Sequence, residues 1–489
     1  MPRFNAPMAE RTLTTNLAGG EAYSESAKLE LVSLALTSFL QDQFYRSADK
    51  GVERLGELVE KVGPEFAIKL ALYTRWEFGM RSISHVMAAY IARQHPGYPG
   101  IRRFMAQIAR RPDDMTEIVA FYQSRWGKKL PSSFRHGLRR GFDRFSQYQL
   151  AKYRQADKSV KLVDLANLFH PSPVTRNQEA LALLIKDKLR SEDTWEVKLT
   201  AAGKDEAAKA KVWAEMLAEK QLGYFSALRN ARNIIDQAPE SIPALCALLT
   251  DRELIHKSLV LPFRFVTALE KLAEKASDRQ VMAAIIEALD ISLENVPKLE
   301  GRTLIAVDTS GSMTQGDGKP AKMAGLFGAA LWRTNDCDMV TFADKAVVPA
   351  LVPGDSVLSL AKAIFACNQG GTNLRCVFEW MQKPYARIVL LSDMQAWVGH
   401  DAPKDVFNAY KQRTGANPTV FSWDVSGYGT LQFPERQVYA LAGFSDKVFG
   451  LMKLLEQDRE AMIHTIETYQ FPETHPQTEE QEEVIVIQL

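Results

Sequence analysis

Apolar residues recur at i, i+3, i+4 and i+7 through most of residues 26–298, as in LELVSLALTSFL (29–40), EFAIKLALYTRWEF (65–78), EALALLIKDKLR (179–190) and VMAAIIEALDISL (281–293). That period puts one apolar stripe on each of a series of helices. Breaks at Gly63-Pro64, 95–100, Pro131, Pro171 to Pro173 and Pro239 to Pro243 limit the helices to roughly 10–18 residues. Consecutive helices with short links predict a repeat-like α-domain of stacked helix pairs, although no repeat of fixed period is visible. After residue 300 the rhythm changes. TLIAVD (303–308), CDMVTF (337–342), RIVLLSD (387–393) and TVFSWDV (419–425) predict strands. AKMAGLFGAALWR (321–333), SVLSLAKAIF (356–365) and DKVFGLMKLLEQ (446–457) predict helices between and after them. Near-continuous apolar strands alternating with helices predict a parallel sheet covered on both faces. The acidic, Pro- and Gln-rich stretch from about 471 predicts a loose tail, ending in VIVIQL (484–489), which would add a strand rather than stay exposed.

The 489 residues suit two to four structural units. With 60 Lys and Arg against 59 Asp and Glu, and 46% hydrophobic residues, the composition is that of a globular protein. No apolar run is long enough to span a bilayer, and the N-terminal residues lack the apolar segment of a secretion signal. Cys246, Cys337, Cys367 and Cys376 form no CxxC pair and are expected to be reduced thiols. These features predict a soluble, cytoplasmic, multidomain protein.

The balanced total hides a local excess. Residues 101–160 hold 14 Lys and Arg against 5 Asp and Glu, the kind of patch that meets polyanions, though a solvated helix face would read the same. Within it lies KKLPSSFRHGLRRGFDRFSQYQLAKYR (128–154). A helix capped by Ser132 or Ser133 would set Arg135, Arg139 and Lys128 or Lys129 near one flank. Arg140 and Arg144 follow at i, i+4. Basic side chains fix phosphates and exposed aromatics stack on unpaired bases, but at helical spacing most of Phe134, Phe142, Phe145, Tyr148 and Tyr153 belong in a core. Further on, Arg229-Asn230 and Arg232-Asn233 are expected to make hydrogen bonds between repeats rather than a site.

In the second half, Asp308-Thr309-Ser310-Gly311-Ser312 ends the first predicted strand, where α/β sheets place ligands. Gly370-Gly371-Thr372-Asn373 and Ser392-Asp393 supply two more polar turns. Together they offer oxygen donors without His or Cys, which select Mg²⁺, Mn²⁺ or Ca²⁺ over zinc. A Ser/Gly-rich turn capping a helix is the plainer alternative. D-x-S-x-S with a later Thr and a later Asp resembles the metal-ion-dependent adhesion site of von Willebrand factor A domains, matched by Asp308, Ser310, Ser312, Thr372 and Asp393. The resemblance implies a divalent ion, Mg²⁺ foremost, whose shell an acidic partner completes.

The first half resembles the Ro 60-kDa autoantigen family, in which an α-helical TROVE module precedes such an A domain. The matching stretches are NLAGGEAY (16–23), FGMRSISHVMAAY (78–90), 128–154, LVDLANLFHP (162–171), LGYFSALRNARNI (222–234) and LPFRFVTALE (261–270). The resemblance covers about 12–470 and suggests a bacterial member. It implies a multidomain α plus α/β protein: a ring of HEAT-like helical repeats at 12–298, a doubly wound A domain at 301–470 and an acidic tail at 471–489. It also implies binding of small non-coding Y RNAs, and of single-stranded 3′ ends of misfolded RNAs, in RNA quality control. Polynucleotide phosphorylase is the implied partner, and the chain is expected to be a monomer. By motif position Lys152 and His170 match family residues implicated in RNA contact; a structural histidine at a helix end is the alternative for His170. Lys128, Lys129, Arg135, Arg139, Arg140 and Arg154 join them on charge and helix-face grounds. Ala156 departs from the family pattern, where a basic residue can stand.

A non-catalytic RNA-binding scaffold is therefore the leading expectation. G-x-S-x-G, a P-loop, a strand-linked GxGxxG and HExxH are all missing from the sequence. A metal-dependent protein-interaction scaffold is the alternative. An Mg²⁺ phosphodiesterase is disfavoured because no general base stands near the metal residues.

Overall fold

The computed structural model describes residues 13–38, 47–154, 157–190, 195–274, 278–294, 296–314, 318–366, 370–396, 403–433, 437–443, 445, 447–458 and 460–471. VIVIQL and Ala156 lie outside them. The chain forms two compact units, and neither is contiguous: one joins residues up to 58 with 293–465, the other joins 59–292 with the residues from 466 onward. The boundary thus differs from a single division near residue 300.

The first unit is built on a six-stranded sheet. In chain order the unit's strands are β1 (Leu13–Thr15), β2 (Glu21–Ser24), β3 (Thr303–Asp308), β4 (Cys337–Phe342), β5 (Ala346–Val347), β6 (Arg387–Ser392), β7 (Thr419–Asp424), β8 (Thr430–Leu431) and β9 (Val438–Ala442). The large sheet runs β5-β4-β3-β6-β7-β9, parallel except for the edge strand β5. Every residue of β3 and β6 is buried, as expected for strands covered on both faces. Helix Lys319–Thr334 lies close against the sheet: a Cβ on Gly328 would stand 3.0 Å from Val307 Cγ2. Phe327, Trp423 and Phe449 close that side with ring centroids 4.6–5.3 Å apart. On the other side Phe378, Phe407, Tyr410 and Phe433 pack with the apolar residues of β3, β4 and β6.

A second, three-stranded sheet, β1-β2-β8, ties the first described residues to this unit. Tyr23 pairs with Leu431 and Ser24 with Thr430. Tyr23 and Leu431 are both buried, so this antiparallel pairing places residues from the start of the chain in the α/β core.

The helical unit holds most of the amphipathic helices; the one predicted at 29–40 forms as Ala27–Thr37 and belongs to the first unit. The predicted helices at 65–78 and 281–293 form as Pro64–Trp76 and Arg279–Ser292. The one at 179–190 stops at Ile185, because Asp187 takes a left-handed backbone, φ 53°, which ends an α-helix. The residues after 465 join through Tyr469, whose hydroxyl donates to Glu77 Oε1 at 3.2 Å and whose ring meets Tyr73 at 5.4 Å. Lys69 Nζ also donates to the Glu467 carbonyl.

Candidate metal centre and nucleic-acid interface

The sheet order changes direction at β3: β4 lies on one edge of it and β6, β7 and β9 follow on the other. Such a switch point opens a crevice at the carboxyl ends of the strands. Asp308 closes β3 and Asp393 follows β6, so both carboxylates reach that crevice. They are 0% and 1% exposed. Ser310 N–H donates to Asp308 Oδ1 at 2.9 Å and Ser392 Oγ to Asp308 Oδ2 at 2.6 Å. The Ser310 and Ser312 hydroxyls are 3.3 Å apart.

The Thr372 turn is held from below. Gly371 N–H donates to Asp344 Oδ1 at 2.8 Å, Asn373 N–H to the Ala343 carbonyl at 2.9 Å and Gly311 N–H to the Gly370 carbonyl at 3.0 Å. A Cβ on Gly370 would lie 2.1 Å from Asp344 Oδ2, so only glycine allows this approach. The sequence reading missed Asp344. A carboxylate just beyond β4 is its only sequence sign.

The electrostatics of the crevice are unfavourable as it stands. Burial, then the charge of Asp308, pushes Asp393 up to about 8. Burial likewise raises Asp308, against the hydrogen bonds from Ser310 and Ser392. Asp393 Oδ2 is buried and has no hydrogen-bond partner among the described residues. An orphaned carboxylate oxygen beside a second buried carboxylate and three hydroxyl side chains is a donor set that a hard cation would satisfy. Among the described residues no three His, Cys, Asp or Glu side chains gather to hold a metal, this crevice included; its donors are two carboxylates and neutral hydroxyls. The five predicted residues therefore fit a divalent ion, and all occupy the two loops and strand end described.

The basic segment builds a different surface. Helix Ser132–Gly141 buries Phe134, Gly137, Leu138 and Gly141, spaced i, i+3, i+4 and i+7. Arg135, His136, Arg139 and Arg140 are consequently exposed, as are Lys128 and Lys129 ahead of it. Neither serine caps the helix: Pro131 precedes it, Ser133 Oγ donates to the Pro96 carbonyl at 2.7 Å, and Ser132 Oγ lies 3.1 Å from His136 Nδ1. The inner face meets helix Ile101–Gln107 so closely that a Cβ on Gly137 would stand 2.8 Å from the Arg102 carbonyl oxygen. Exposed Arg102 and Arg103 ride on that neighbour, and the sequence reading did not select them.

Arg139 donates to Ser172 Oγ at 3.1 Å, bringing the arginine face to the turn that carries His170. His170 is exposed, caps helix Leu162–Phe169 through its N–H to the Ala166 carbonyl, and has φ 48°. Left-handed backbone at a non-glycine residue costs free energy and clusters at functional sites. Lys152 and Arg154 are half-buried. The Lys152 ammonium sits 5.7 and 5.8 Å from the Tyr148 and Tyr153 ring centroids, and Arg154 donates to the Leu189 carbonyl. Phe134, Phe142 and Phe145 are core residues.

Two readings change. Arg144 does not continue the Arg140 row. It ends the 3₁₀ turn Phe142–Arg144, donates to the carbonyls of Ala106, Gln107 and Ala109 at 3.1–3.2 Å, and is pushed down to about 10 by burial. Asn230 and Asn233 bond within their own helix, to the Ser226 carbonyl and to Asn230 Oδ1, rather than between repeats. A buried cluster also went unread. Asp114 Oδ2 accepts from Arg75 at 2.7 Å, and Asp114 Oδ1 accepts from Arg81 at 2.7 Å and lies 3.0 Å from His85 Nε2. Burial opposes its ionisation, but the charges of Arg75, His85 and Arg81 hold its carboxyl well below the usual range.

Comparison with known proteins adds four findings. The TROVE domain model matches residues 35–186 and 186–304. Telomerase protein component 1 of Rattus norvegicus is 35% identical over 96 residues, 18% of this chain and 4% of that protein. RNA-binding protein RO60 of Deinococcus radiodurans is 28% identical over 151 residues, 29% of this chain and 28% of that protein. The chain thus matches only a minor part of the length of either relative. The crystal structure of the Deinococcus radiodurans RO (RSR) protein superposes with a TM-score of 0.59 at 20% identity, covering 87% of this chain and 99% of that one. It shares the fold.

Proposed function

The chain belongs to the TROVE domain family, and from that premise we propose that it is an RNA-binding protein whose helical unit presents the docking face. One observation carries the reading: Arg135, Arg139 and Arg140 stand exposed on a helix whose other side is fully buried. Exposed guanidinium groups on a rigid helix contact phosphates bidentately and release counterions. The name of the Deinococcus relative supports the same class of ligand. At a finer level, the proposed ligands are a Y-like small RNA and misfolded RNAs with single-stranded 3′ ends. The proposed role is a scaffold in RNA quality control without catalysis of its own, with polynucleotide phosphorylase as a proposed partner and the cytoplasm as the proposed location.

Asp308, Ser310, Ser312, Thr372 and Asp393 would hold a divalent ion, Mg²⁺ foremost. When bound, the ion supplies a Lewis-acidic point at which an acidic group can dock. The residues themselves would offer it hydroxyl and carboxylate oxygens in a site closed by burial, Asp393 Oδ2 among them, since that oxygen has no hydrogen-bond partner among the described residues. This supports a second reading, in which the α/β unit grips an acidic partner while the helical unit holds RNA.

The test is filter binding of a small structured RNA to the full chain and to a variant with Arg135, Arg139 and Arg140 all changed to Ala. The expected result is a loss of tenfold or more, as order of magnitude for several phosphate contacts, with a shallower salt dependence. Equal affinity and equal salt slope would remove the arginine face from the interface.

A further inference from the structure

The turn after β6 carries Asp393 and continues through Met394, Gln395 and Ala396. Met394 has φ 58°, a left-handed setting that a non-glycine residue keeps only when its surroundings hold it there. Several groups do so. The Met394 side chain is buried, with Ser422 Oγ 3.1 Å from its sulfur. Its N–H donates to Ser392 Oγ at 3.0 Å, and its carbonyl accepts from the Gln432 side-chain amide. The turn brings the Gln395 N–H back to Asp393 Oδ1 at 3.1 Å, which leaves Oδ2 as the bare oxygen.

The Gln395 side chain is fully buried and bonded at both ends of its amide. Nε2 donates to the Asp393 carbonyl and to Thr430 Oγ1, both at 3.2 Å. Oε1 accepts from the Leu17 N–H at 2.6 Å and the Ala18 N–H at 3.3 Å. Those two residues lie at the tip of the β1–β2 hairpin. Asn16 shapes that tip: its Oδ1 accepts from the Ala18 and Gly20 N–H groups at 3.1 and 2.8 Å, and its Nδ2 donates to the Ala396 carbonyl at 2.8 Å. One buried amide therefore joins the carboxylate-bearing turn to the hairpin within the same compact unit. The hairpin is lightly held. β1 is a three-residue edge strand paired with β2, and of residues 13–24 Asn16, Ala22 and Tyr23 are buried. Elements with so few buried contacts open more readily than the core around them.

We propose that Gln395 is a positioning residue of the metal centre and couples it to the hairpin. With the hairpin docked, Gln395 is satisfied at both ends, and the Asp393 turn is braced with its free oxygen held for a divalent ion. With the hairpin open, Oε1 loses both donors and the brace slackens. Such coupling is reciprocal, so an ion on Asp393 secures the hairpin by the same factor that opening the hairpin weakens the ion. The proposal rests on the metal reading of Asp308, Ser310, Ser312, Thr372 and Asp393. A tip that only satisfies the buried Gln395 oxygen is the competing explanation.

The test uses the full chain with Mn²⁺ as probe. Affinity is read from the electron paramagnetic resonance of the free ion, and hairpin opening from hydrogen exchange of residues 13–24 by mass spectrometry. In wild type, saturating Mn²⁺ should slow that exchange by about fivefold to a hundredfold; a tip with only a structural role would exchange at one rate with and without the ion. Gln395→Ala should bind Mn²⁺ more weakly by a similar factor and, at saturating Mn²⁺, show no slowing. Asn16→Ala touches none of the five metal residues and should also bind Mn²⁺ more weakly, so it carries the test if Gln395→Ala does not fold. If wild type binds Mn²⁺ with exchange at 13–24 unmoved, or if Asn16→Ala binds as tightly as wild type, the coupling falls and the metal reading stands. If wild type binds no Mn²⁺, or Asp393→Asn binds it equally well, the metal reading falls and the coupling with it.

Discussion

Ser392 Oγ donates a 2.6 Å hydrogen bond to Oδ2 of Asp308, across neighbouring strands whose last paired residues are Val307 and Leu391. That bond satisfies Asp308 and fixes its orientation, while Asp393, one residue beyond Ser392, keeps a bare oxygen. Above about pH 8, where Asp393 is ionised, Asp393→Asn removes a charge buried beside another. In metal-free buffer at that pH the variant should melt higher than wild type, by about 2–4 °C for each kcal/mol of repulsion relieved. With Mg²⁺ at a hundredfold its Kd, wild type should gain about 2.7 kcal/mol and the variant little, so the order reverses. Calorimetry with EDTA and with Mg²⁺ reads both; a variant that gains as much from Mg²⁺ as wild type would refute the ligand assignment.

The Asp114 cluster predicts acid lability in the helical unit. Asp114 titrates below its unfolded range because of Arg75, His85 and Arg81, so its contribution is present above roughly pH 4 and is lost as pH falls further. His85 is lowered by burial, against the pull of Asp114. Since the unfolded histidine binds a proton more readily, stability also falls as pH drops below about 6.5. Asp114→Asn should cost about 3–5 kcal/mol at neutral pH, because buried cations lose their partner. Urea titrations extended from about pH 8 to about pH 2 would show a smaller loss of stability below about pH 4 in the variant.

Gly137 is where two arginine-bearing helices touch. An added methyl would fall 2.4 Å from Met105 Cβ and 2.8 Å from the Arg102 carbonyl, so Gly137→Ala should destabilise by about 1–3 kcal/mol through overpacking. It should also weaken RNA binding without removing a charge. Unchanged melting temperature and affinity would show that the helices separate freely.

Arg144→Ala tests the difference between a charge and a surface. Three carbonyls lose their donor, at about 1–3 kcal/mol, while the affinity of the folded protein for RNA should stay as it was. A drop in affinity with no change in urea midpoint would place Arg144 on the interface.

These cases mark what the sequence disclosed. β3 and β4 occupy the predicted residues, because short runs rich in β-branched and apolar side chains that end at a polar residue or a turn favour a strand. The polar turns of Asp308–Ser312, Thr372 and Asp393 were legible because each follows a local strand or turn pattern, and the metal they are proposed to hold is a separate question. The arginines of 132–141 were legible as a helix face, but not the fate of Arg144, which depends on carbonyls some 35–38 positions away. Asp114 was hidden for the same reason: its partners Arg75 and Arg81 are distant in sequence. The β1–β2 hairpin carries too few residues to show a period, and only its long-range pairing reveals its unit.

That pairing has a consequence for biosynthesis. Tyr23 leaves the ribosome early, yet its strand partner is Leu431. At synthesis rates of roughly 5–20 residues per second the partner follows some tens of seconds later. During that interval the helices of 59–292 emerge and can pack among themselves, while the sheet that receives the hairpin is still being made. The hairpin's hydrogen-bonding edge therefore waits exposed in the nascent chain, which makes docking of the chain's opening segment a late step in its maturation.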